Sequence, residues 1–257
     1  MDNLLQGAAH GLMAVIKPIA DDEWILGHRG SEWLALAPDL EGDMALSSIS
    51  QDNLGHAQFY YELLHSLGLP SADEQVYLRT AAEWTNAHLL EVPNHDWAGT
   101  IALRYLYQVF DDIRHQGLLA SPYQPLTDGV RKIRREAQYH LQHFQTGFEM
   151  LAIGTDESRQ RLIEGVNQVW EMLGDLFSWG PAEAFLPDLG LQGVSEKVVK
   201  TAWMDRIEAQ FRHLGLPEPA AIPQPALNGR LGQHSEALAD LLDEMTEVRR
   251  IGLSAPW

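Results

Sequence analysis

The feature that most constrains the fold is a helical spacing of apolar residues that recurs along nearly the whole chain. Apolar side chains return every three or four positions, as on one face of an α-helix, and the alternation typical of strands is nearly absent. The clearest such face comprises Val130, Ile133, Ala137, Leu141, Phe144, Phe148 and Leu151. This pattern predicts an all-α protein.

Prolines, glycines and capping residues divide the pattern into separate helices. The predicted helices span about residues 21–36, 39–67, 72–90, 96–118, 127–151, 156–179, 195–213 and 235–251. Asp21, Asp22 and Glu23 are placed at the start of the first helix, where the helix dipole favours negative charge. Long helices with short links indicate one helix-bundle domain over residues 1–257, with a core over about 20–180 and a C-terminal helical extension over about 181–257.

Composition narrows the range of functions. The formal net charge is −18, from 36 acidic and 18 basic side chains, so neither nucleic acid nor a membrane is an expected partner. The chain has no cysteine, which excludes disulfides, thiolate metal ligands and Cys nucleophiles and fits a reducing compartment. No apolar run approaches the length of a transmembrane helix. We therefore expect a cytoplasmic protein.

Carboxylates and imidazoles occur on apolar helix faces, where an unpaired charge would be costly to bury. Four predicted helices carry such groups, which are Glu32; Asp52, Asn53 and His56; Asp111, Asp112 and His115; and Glu136 and His140. A ferritin-like bundle holds two irons with one Glu or Asp from each of two helices and a Glu-x-x-His motif from each of the other two. The chain follows the outline of that arrangement.

Two positions of the ferritin-like template are filled by residues that cannot be ionised. The template has Glu three residues before each of its two histidines. Before His56 and His140, on the second and fifth predicted helices, the chain has Asn53 and Ala137 instead. Asp52 and Glu136 are each displaced by one residue, which turns them about 100° around the helix axis. Because two anionic ligands are lost, we expect no metal and no other cofactor in this chain.

Other interpretations of the same residues stay open. Asp52 and Glu136 each precede a histidine by four residues on one helical face, a spacing that could hold a single metal ion. Alternatively, these groups pair with one another or with Arg29 and Arg104 in a buried polar network, because buried charges need partners.

Two further charged groups are interpreted as solvated. Asp112 and His115, three residues apart, are expected to pair in solvent without a functional role. A basic run on the fifth predicted helix comprises Arg131, Lys132, Arg134 and Arg135. Such a run is usually a solvated face, and the functional alternative is a surface that contacts an acidic partner or the phosphates of a CoA ester.

Several ordered sequence pieces are similar to those of a known family. They are LGHRGSEW (26–33), APDLEGDMAL (37–46), DNLGHA (52–57), EAQYHL (136–141), GTDES (154–158), HSE (234–236) and LLDEM (241–245). Together they resemble the phenylacetic acid catabolic protein family over about residues 21–257.

The resemblance implies a ferritin-like fold and a role in the multicomponent oxygenase that epoxidises the ring of phenylacetyl-CoA. In that family a catalytic subunit holds the di-iron centre, a reductase supplies electrons from NADPH, and a homologous subunit that has lost the metal ligands is structural. Asn53 and Ala137 match the structural type, although Glu32, His56 and His140 keep ligand-type positions.

The resemblance therefore predicts a non-catalytic subunit that forms a hetero-oligomer with the di-iron catalytic subunit and the other epoxidase subunits. One alternative is an independent metal-dependent oxidase or monooxygenase that uses Glu32, Asp52, His56, Glu136 and His140. Another is a module that binds an acyl-CoA in a groove of the bundle without chemistry.

Overall fold

The computed structural model describes residues 2–94 and 96–251. This part of the chain forms α-helices and short 3-10 turns without any β-strand. The helices are α1 (Asp2–Ser31), α2 (Leu40–Ser66), α3 (Ala72–Tyr77), α4 (Trp97–Leu118), α5 (Gln124–Ile153), α6 (Asp156–Trp170), α7 (Glu196–Leu214) and α8 (Glu236–Ile251). The predicted all-α, ferritin-like helix bundle is confirmed.

Four long helices, α1, α2, α4 and α5, form the centre of the bundle. Helix α1 packs along α2, and α4 packs along α5, through a continuous apolar core. The core includes large side chains with no exposed surface, among them Tyr60, Tyr107 and Phe144. Helix α6 lies on α4, and α7 lies against both α4 and α5. Among the described residues, no helix is both long and apolar enough to cross a bilayer.

Helix α1 is longer than the sequence predicts, because it continues through Pro18. A proline inside a helix costs about 3 kcal/mol. Burial of a large apolar side chain contributes roughly 1.5–3 kcal/mol, and Val15, Ile16 and Ile19 next to Pro18 are fully buried. The helix therefore persists, and Asp21 lies in its middle rather than at its start. The predicted N-terminal position of the acidic sequence is wrong.

The segment after α3 also differs from the prediction, since the helix ends at Tyr77 and two 3-10 turns follow at Ala81–Glu83 and His88–Glu91. Buried carboxylates of α1 accept hydrogen bonds from backbone N–H groups of this segment. Asp21 accepts from the amide of Thr85 at 2.8 Å, and Asp22 accepts from the amide of Ala87 at 2.9 Å. These amides are no longer available for helical bonds to carbonyls four residues earlier.

Helix α6 is likewise shorter than the helix predicted over 156–179. It ends at Trp170, and a 3-10 turn follows at Leu173–Asp175. Within that turn Gly174 approaches the backbone of Pro225 so closely that an added Cβ would lie 2.5 Å from it. The loop after α7 thus packs directly against this turn, in a position that a regular helix with side chains would not allow.

Candidate functional site

The polar centre of the bundle is built from buried side chains of the four long helices. Helix α1 contributes Glu23, α2 contributes Asn53 and His56, α4 contributes Asp111 and His115, and α5 contributes Ala137 and His140. This is the pattern of a ferritin-like metal centre, with one acidic residue from each of two helices and the first and last positions of a three-residue step from each of the other two. The folded chain therefore brings together the helix positions that hold the metal ligands in a ferritin-like centre.

Glu23 occupies the place that the sequence-based prediction assigned to Glu32, and that assignment is corrected. Glu32 lies just beyond the C-terminal end of α1, where it is exposed and accepts from Arg29 at 2.5 Å and from Asn94 at 2.8 Å. Glu23 is missed by the sequence analysis because the predicted first helix begins at Asp21. Its helical spacing from the buried Ile16 and Ile19 places Glu23 on the same face of α1, and this spacing is the sequence signal that could have identified it.

Two side chains contact the Glu23 carboxylate, and a buried arginine adds a compensating charge. The Asn53 amide donates to it at 2.7 Å, and Nδ1 of His56 lies 3.4 Å from the same oxygen. The Arg104 guanidinium donates to the carbonyl of Leu26 and lies 3.5 Å from the Asn53 amide oxygen. Burial lowers the pKa of Arg104 to about 10, which leaves it charged at neutral pH. A buried carboxylate is thus compensated by side chains of α2 and α4.

The two histidines pair with carboxylates across the α2–α5 interface. Nε2 of His56 lies 2.9 Å from Glu136, and Nε2 of His140 lies 3.0 Å from Asp52. The carboxylates and histidines thus pair with one another between helices, as in the alternative of a polar network, rather than within one helix as in the alternative of a single metal ion. The rings of the two histidines stack with their centroids 5.8 Å apart.

These contacts give the two histidines different charges. Burial opposes protonation of His56, but hydrogen bonds and charges from Glu23 and Glu136 outweigh it and raise the pKa of His56 to about 9. Burial lowers the pKa of His140, and the nearby charge of His56 lowers it further, although the hydrogen bond to the Asp52 carboxylate opposes this shift. At neutral pH His56 is a cation, whereas His140 is neutral.

On α4, His115 is fully buried, so its expected solvated pair with Asp112 is wrong. Nδ1 of His115 lies 2.9 Å from Asp111, and its Nε2 lies 2.8 Å from the hydroxyl of Tyr60. Asp112 lies on another face of the helix and pairs with arginines of α5 and α7. Burial opposes ionisation of Asp111, but His115 and Arg114 outweigh it and hold the pKa of Asp111 well below its usual value.

A buried network that the sequence did not indicate adjoins this centre. Asp22 accepts from Arg114 at 2.7 Å and from Arg230 at 2.7 and 2.8 Å, and all three side chains are nearly free of solvent. Arg114 bonds to Asp111 at 2.7 Å as well. The network therefore connects the centre of the bundle to the segment before α8. Asp22 is 92 positions from Arg114 and 208 from Arg230 in the sequence, which no local spacing reveals.

A pair of iron ions does not fit these residues. Ferritin-like di-iron sites use four carboxylates and two histidines, but Asn53 and Ala137 stand at two of the carboxylate positions. The remaining two carboxylates, Glu23 and Asp111, already face the cations Arg104 and Arg114. Asp52 and Glu136, displaced by one residue, lie in the outer part of the α2–α5 interface with more than one-third of each side chain exposed.

A single ion has one possible set of ligands among the described residues. Glu23, Asp111 and His115 each offer one ligand atom, and these atoms lie within 4.8 Å of one another. The hydrogen bond between Nε2 of His115 and the hydroxyl of Tyr60 is the kind of contact that orients metal-binding histidines. The adjacent Arg114 opposes a further cation by direct repulsion.

The basic run on α5 is only partly solvated. Arg131 is exposed and pairs with Asp128, whereas Arg134 is half-buried and pairs with Asp112. Lys132 and Arg135 are exposed, and no ion pair involves either of them in the part of the chain that the structure describes. The run thus includes two cations that are available at the surface.

The fold and this centre define the class of the protein, a ferritin-like bundle with a carboxylate–histidine core that lacks part of the iron-binding set. The sequence profile described as phenylacetic acid catabolic protein matches residues 1–257. The chain belongs to the phenylacetic acid catabolic protein family, which confirms the resemblance.

Two proteins of Escherichia coli (strain K12) are similar to this chain. The C subunit of 1,2-phenylacetyl-CoA epoxidase is 29% identical over 249 residues, which cover 96% of this chain and 99% of that protein. The A subunit of the same epoxidase is 23% identical over 206 residues, which cover 76% of this chain and 63% of that protein. The chain is thus related to two different components of one enzyme.

Proposed function

We propose that this chain is a non-catalytic subunit of a multicomponent oxygenase of the phenylacetyl-CoA epoxidase type. In this proposal it pairs with a homologous subunit that holds the di-iron centre, and it takes part in phenylacetate catabolism. The observation that carries the proposal is the charge balance inside the bundle. Arginine side chains compensate the buried Glu23 and Asp111 where two metal ions would otherwise do so.

The sign of the buried charges supports this proposal. A di-ferrous pair brings four positive charges, which bridging carboxylates must largely neutralise. Here Arg104 and Arg114 are buried beside the two remaining central carboxylates, and His56 is protonated as well. An added metal ion would have to displace or repel these cations in a region of low effective dielectric. The bundle keeps the architecture of an iron protein while its own side chains balance the charge.

Likeness to the two E. coli proteins supports the rest of the proposal. The alignment spans nearly all of the C subunit and also reaches the A subunit, so the two types of chain share a helix-bundle design. Homologous bundles that occur in one enzyme can pair through corresponding surfaces, much as identical subunits do in twofold dimers. Phenylacetyl-CoA is the substrate named for those relatives, and it is the substrate that we propose for the complex.

Co-expression with a homologue of the A subunit from the same organism tests the proposal. We expect a stable complex, iron only in the partner, and epoxidation of phenylacetyl-CoA that requires both chains together with a reductase and oxygen. The matched measurement is the iron content of this chain purified alone after anaerobic loading. Two irons per chain, or full activity and solubility of the partner without it, would disprove the proposal.

A second candidate function is that of an independent metal-dependent oxidase or monooxygenase. The specific observation in its favour is the approach of Glu23, Asp111 and His115 within 4.8 Å. Titration of the isolated chain with Fe(II) and Mn(II) tests it, with His115→Ala as the variant and His143→Ala, on α5 outside this set, as the control. Stoichiometric binding that only His115→Ala removes would favour this candidate over the structural one.

A further inference from the structure

Most of the large exposed apolar residues lie on or next to the neighbouring helices α2 and α5. The described residues include eleven of them, and seven lie in the link between α1 and α2, at the start of α2 or along the outer face of α5, namely Leu34, Leu36, Leu40, Met44, Tyr139, Met150 and Ile153. Single exposed apolar side chains are normal, but a concentration of this kind on a soluble fold marks an interaction site.

Two of these residues, Tyr139 and Met150, line an open groove of about 720 Å³. Trp97 and Ile101 of α4 also line it. Gly42 and Gly147 keep the groove accessible, because an added Cβ would lie 3.3 Å from the Trp97 ring or 3.2 Å from Ile101. We call this groove, with the seven apolar residues above, the α2–α5 groove surface.

The link that carries Leu34 and Leu36 is held in an unusual conformation. Ala35 between them has φ of +63°, a left-handed conformation that a residue with a side chain adopts only at a cost. Its amide donates to the carboxylate of Asp43 on α2, which fixes the link against the helix. Both leucines are at least half exposed in this arrangement. They extend the apolar surface beyond the groove, farther than a small ligand inside the groove would cover.

Charges of both signs adjoin the groove surface, because the exposed Asp39 and Glu41 line the groove itself and two cations lie on α5 beyond Tyr139. Arg135 lies one helical turn before Tyr139, so the two side chains are neighbours on α5, and Lys132 lies on the preceding turn. Both cations are exposed. The partner that complements this surface therefore carries an apolar ridge with acidic side chains at the end that meets Arg135 and Lys132. Two copies of this chain, at −18 each, would repel one another at long range.

We propose that the α2–α5 groove surface binds the homologous metal-holding subunit, which seats an apolar helix ridge against Met44 and Tyr139 and acidic side chains beside Lys132 and Arg135. This rests on the proposed function and names the surface through which the two chains pair. Stable interfaces bury roughly 800 Å² on each partner, and the α2–α5 groove surface extends over α2, α5 and the link that precedes α2.

Surface variants with matched controls test the assignment. Met44→Glu and Tyr139→Glu place a charge in the apolar surface, and Val248→Glu on α8 is the control because Val248 and Met44 are both 64% exposed. We expect calorimetry with the purified homologue of the A subunit to show at least tenfold weaker binding for Met44→Glu and Tyr139→Glu and unchanged binding for the control. Circular dichroism and thermal unfolding verify that each variant is folded.

A charge reversal tests the electrostatic part separately. Lys132→Glu should slow association and reduce its dependence on salt, because exposed interface charges act mainly on the association rate. Lys197→Glu on α7, another exposed lysine, is the control and should leave the rate unchanged. Equal effects of the two reversals would overturn the charge complementarity, since they would report only the total charge of the chain.

The outcomes separate this inference from the proposed function. If the wild-type chain binds the partner and Met44→Glu and Tyr139→Glu bind it equally well, the surface assignment is wrong and the proposed function stands. If the wild-type chain does not bind the partner, the proposed function itself fails. If the isolated chain dimerises and Met44→Glu makes it monomeric without weakening the partner complex, the surface serves a second copy and the inference is overturned.

Discussion

Replacement of Arg114 by Met provides the sharpest test of the idea that arginines take over the charge balance of a metal centre. Arg114 is buried and donates to Asp22 and Asp111 at 2.7 Å each and to the hydroxyl of Tyr107 at 2.9 Å. Met has a similar length, so the substitution removes the charge with little change of volume. Asp22 keeps Arg230 as a partner, whereas Asp111 keeps only His115.

The magnitude follows from the loss of one partner in a buried ion pair, which costs about 3–5 kcal/mol because the other charge stays buried. Globular proteins are stable by about 5–15 kcal/mol in total, so Arg114→Met should be folded but clearly less stable. The control is Arg131→Met, since the pair of Arg131 with Asp128 is more than half exposed on both sides. Such a surface pair contributes about 0–1 kcal/mol.

The assay is urea-induced unfolding in EDTA, followed by the same measurement with Mn(II) or Fe(II). With Arg114 gone, Glu23, Asp111 and His115 should bind a divalent ion, which at one hundred times its Kd adds about 2.7 kcal/mol to the free energy of unfolding. The wild-type protein should gain little. A loss below about 1 kcal/mol for Arg114→Met, or an equal gain for wild type on metal addition, would refute the reasoning.

Three further predictions concern other parts of the structure. Glu23→Gln should lower the free energy of unfolding by about 3 kcal/mol because it leaves buried cations uncompensated, whereas Glu32→Gln at a partly exposed pair should cost less than about 1 kcal/mol. His234→Gln should lower the free energy of unfolding by about 2 kcal/mol at pH 6 and by progressively less toward pH 9. Burial opposes protonation of His234, but its hydrogen bond with Glu91 outweighs burial and raises the pKa of His234 above 6.5. The stability that this pair contributes is therefore complete below pH 6.5 and is lost as the pH rises through the folded-state pKa. Gly229→Ala should prevent stable folding, because its Cβ would lie 2.0 Å from a backbone oxygen, while Gly55→Ala on the exposed surface of α2 should stabilise the protein by about 1 kcal/mol.

Denaturant unfolding checks all three. If Glu23→Gln and Glu32→Gln lowered the free energy of unfolding equally, Glu23 would not be the buried acidic group of the centre. A cost of His234→Gln that stays constant between pH 6 and pH 9 would show that the imidazole is not charged in the folded protein. A well-folded Gly229→Ala protein would show that the segment before α8 does not pack as described.

The helices with strong apolar periodicity could be predicted from the sequence alone. The predicted spans 39–67, 96–118 and 195–213 lie close to α2, α4 and α7 in the structure, because each begins at a capping residue and ends near glycine or proline. The replacement of two carboxylates by Asn53 and Ala137 was also evident, since a step of three residues along a helix is a local property of the chain. Neither inference required knowledge of how the helices pack.

Tertiary structure decided which side chains meet. The acidic residues from Asp21 onward predicted the start of a helix, but buried apolar contacts before them make this part the interior of α1, and the acidic group of the centre is Glu23 rather than Glu32. The same packing lets Asp21 and Asp22 bind the amides of Thr85 and Ala87, so that a predicted helix becomes a chain of turns. Local spacing determines which residues share a helix face, whereas the pairing of buried charges depends on distances between helices, which only the folded chain sets.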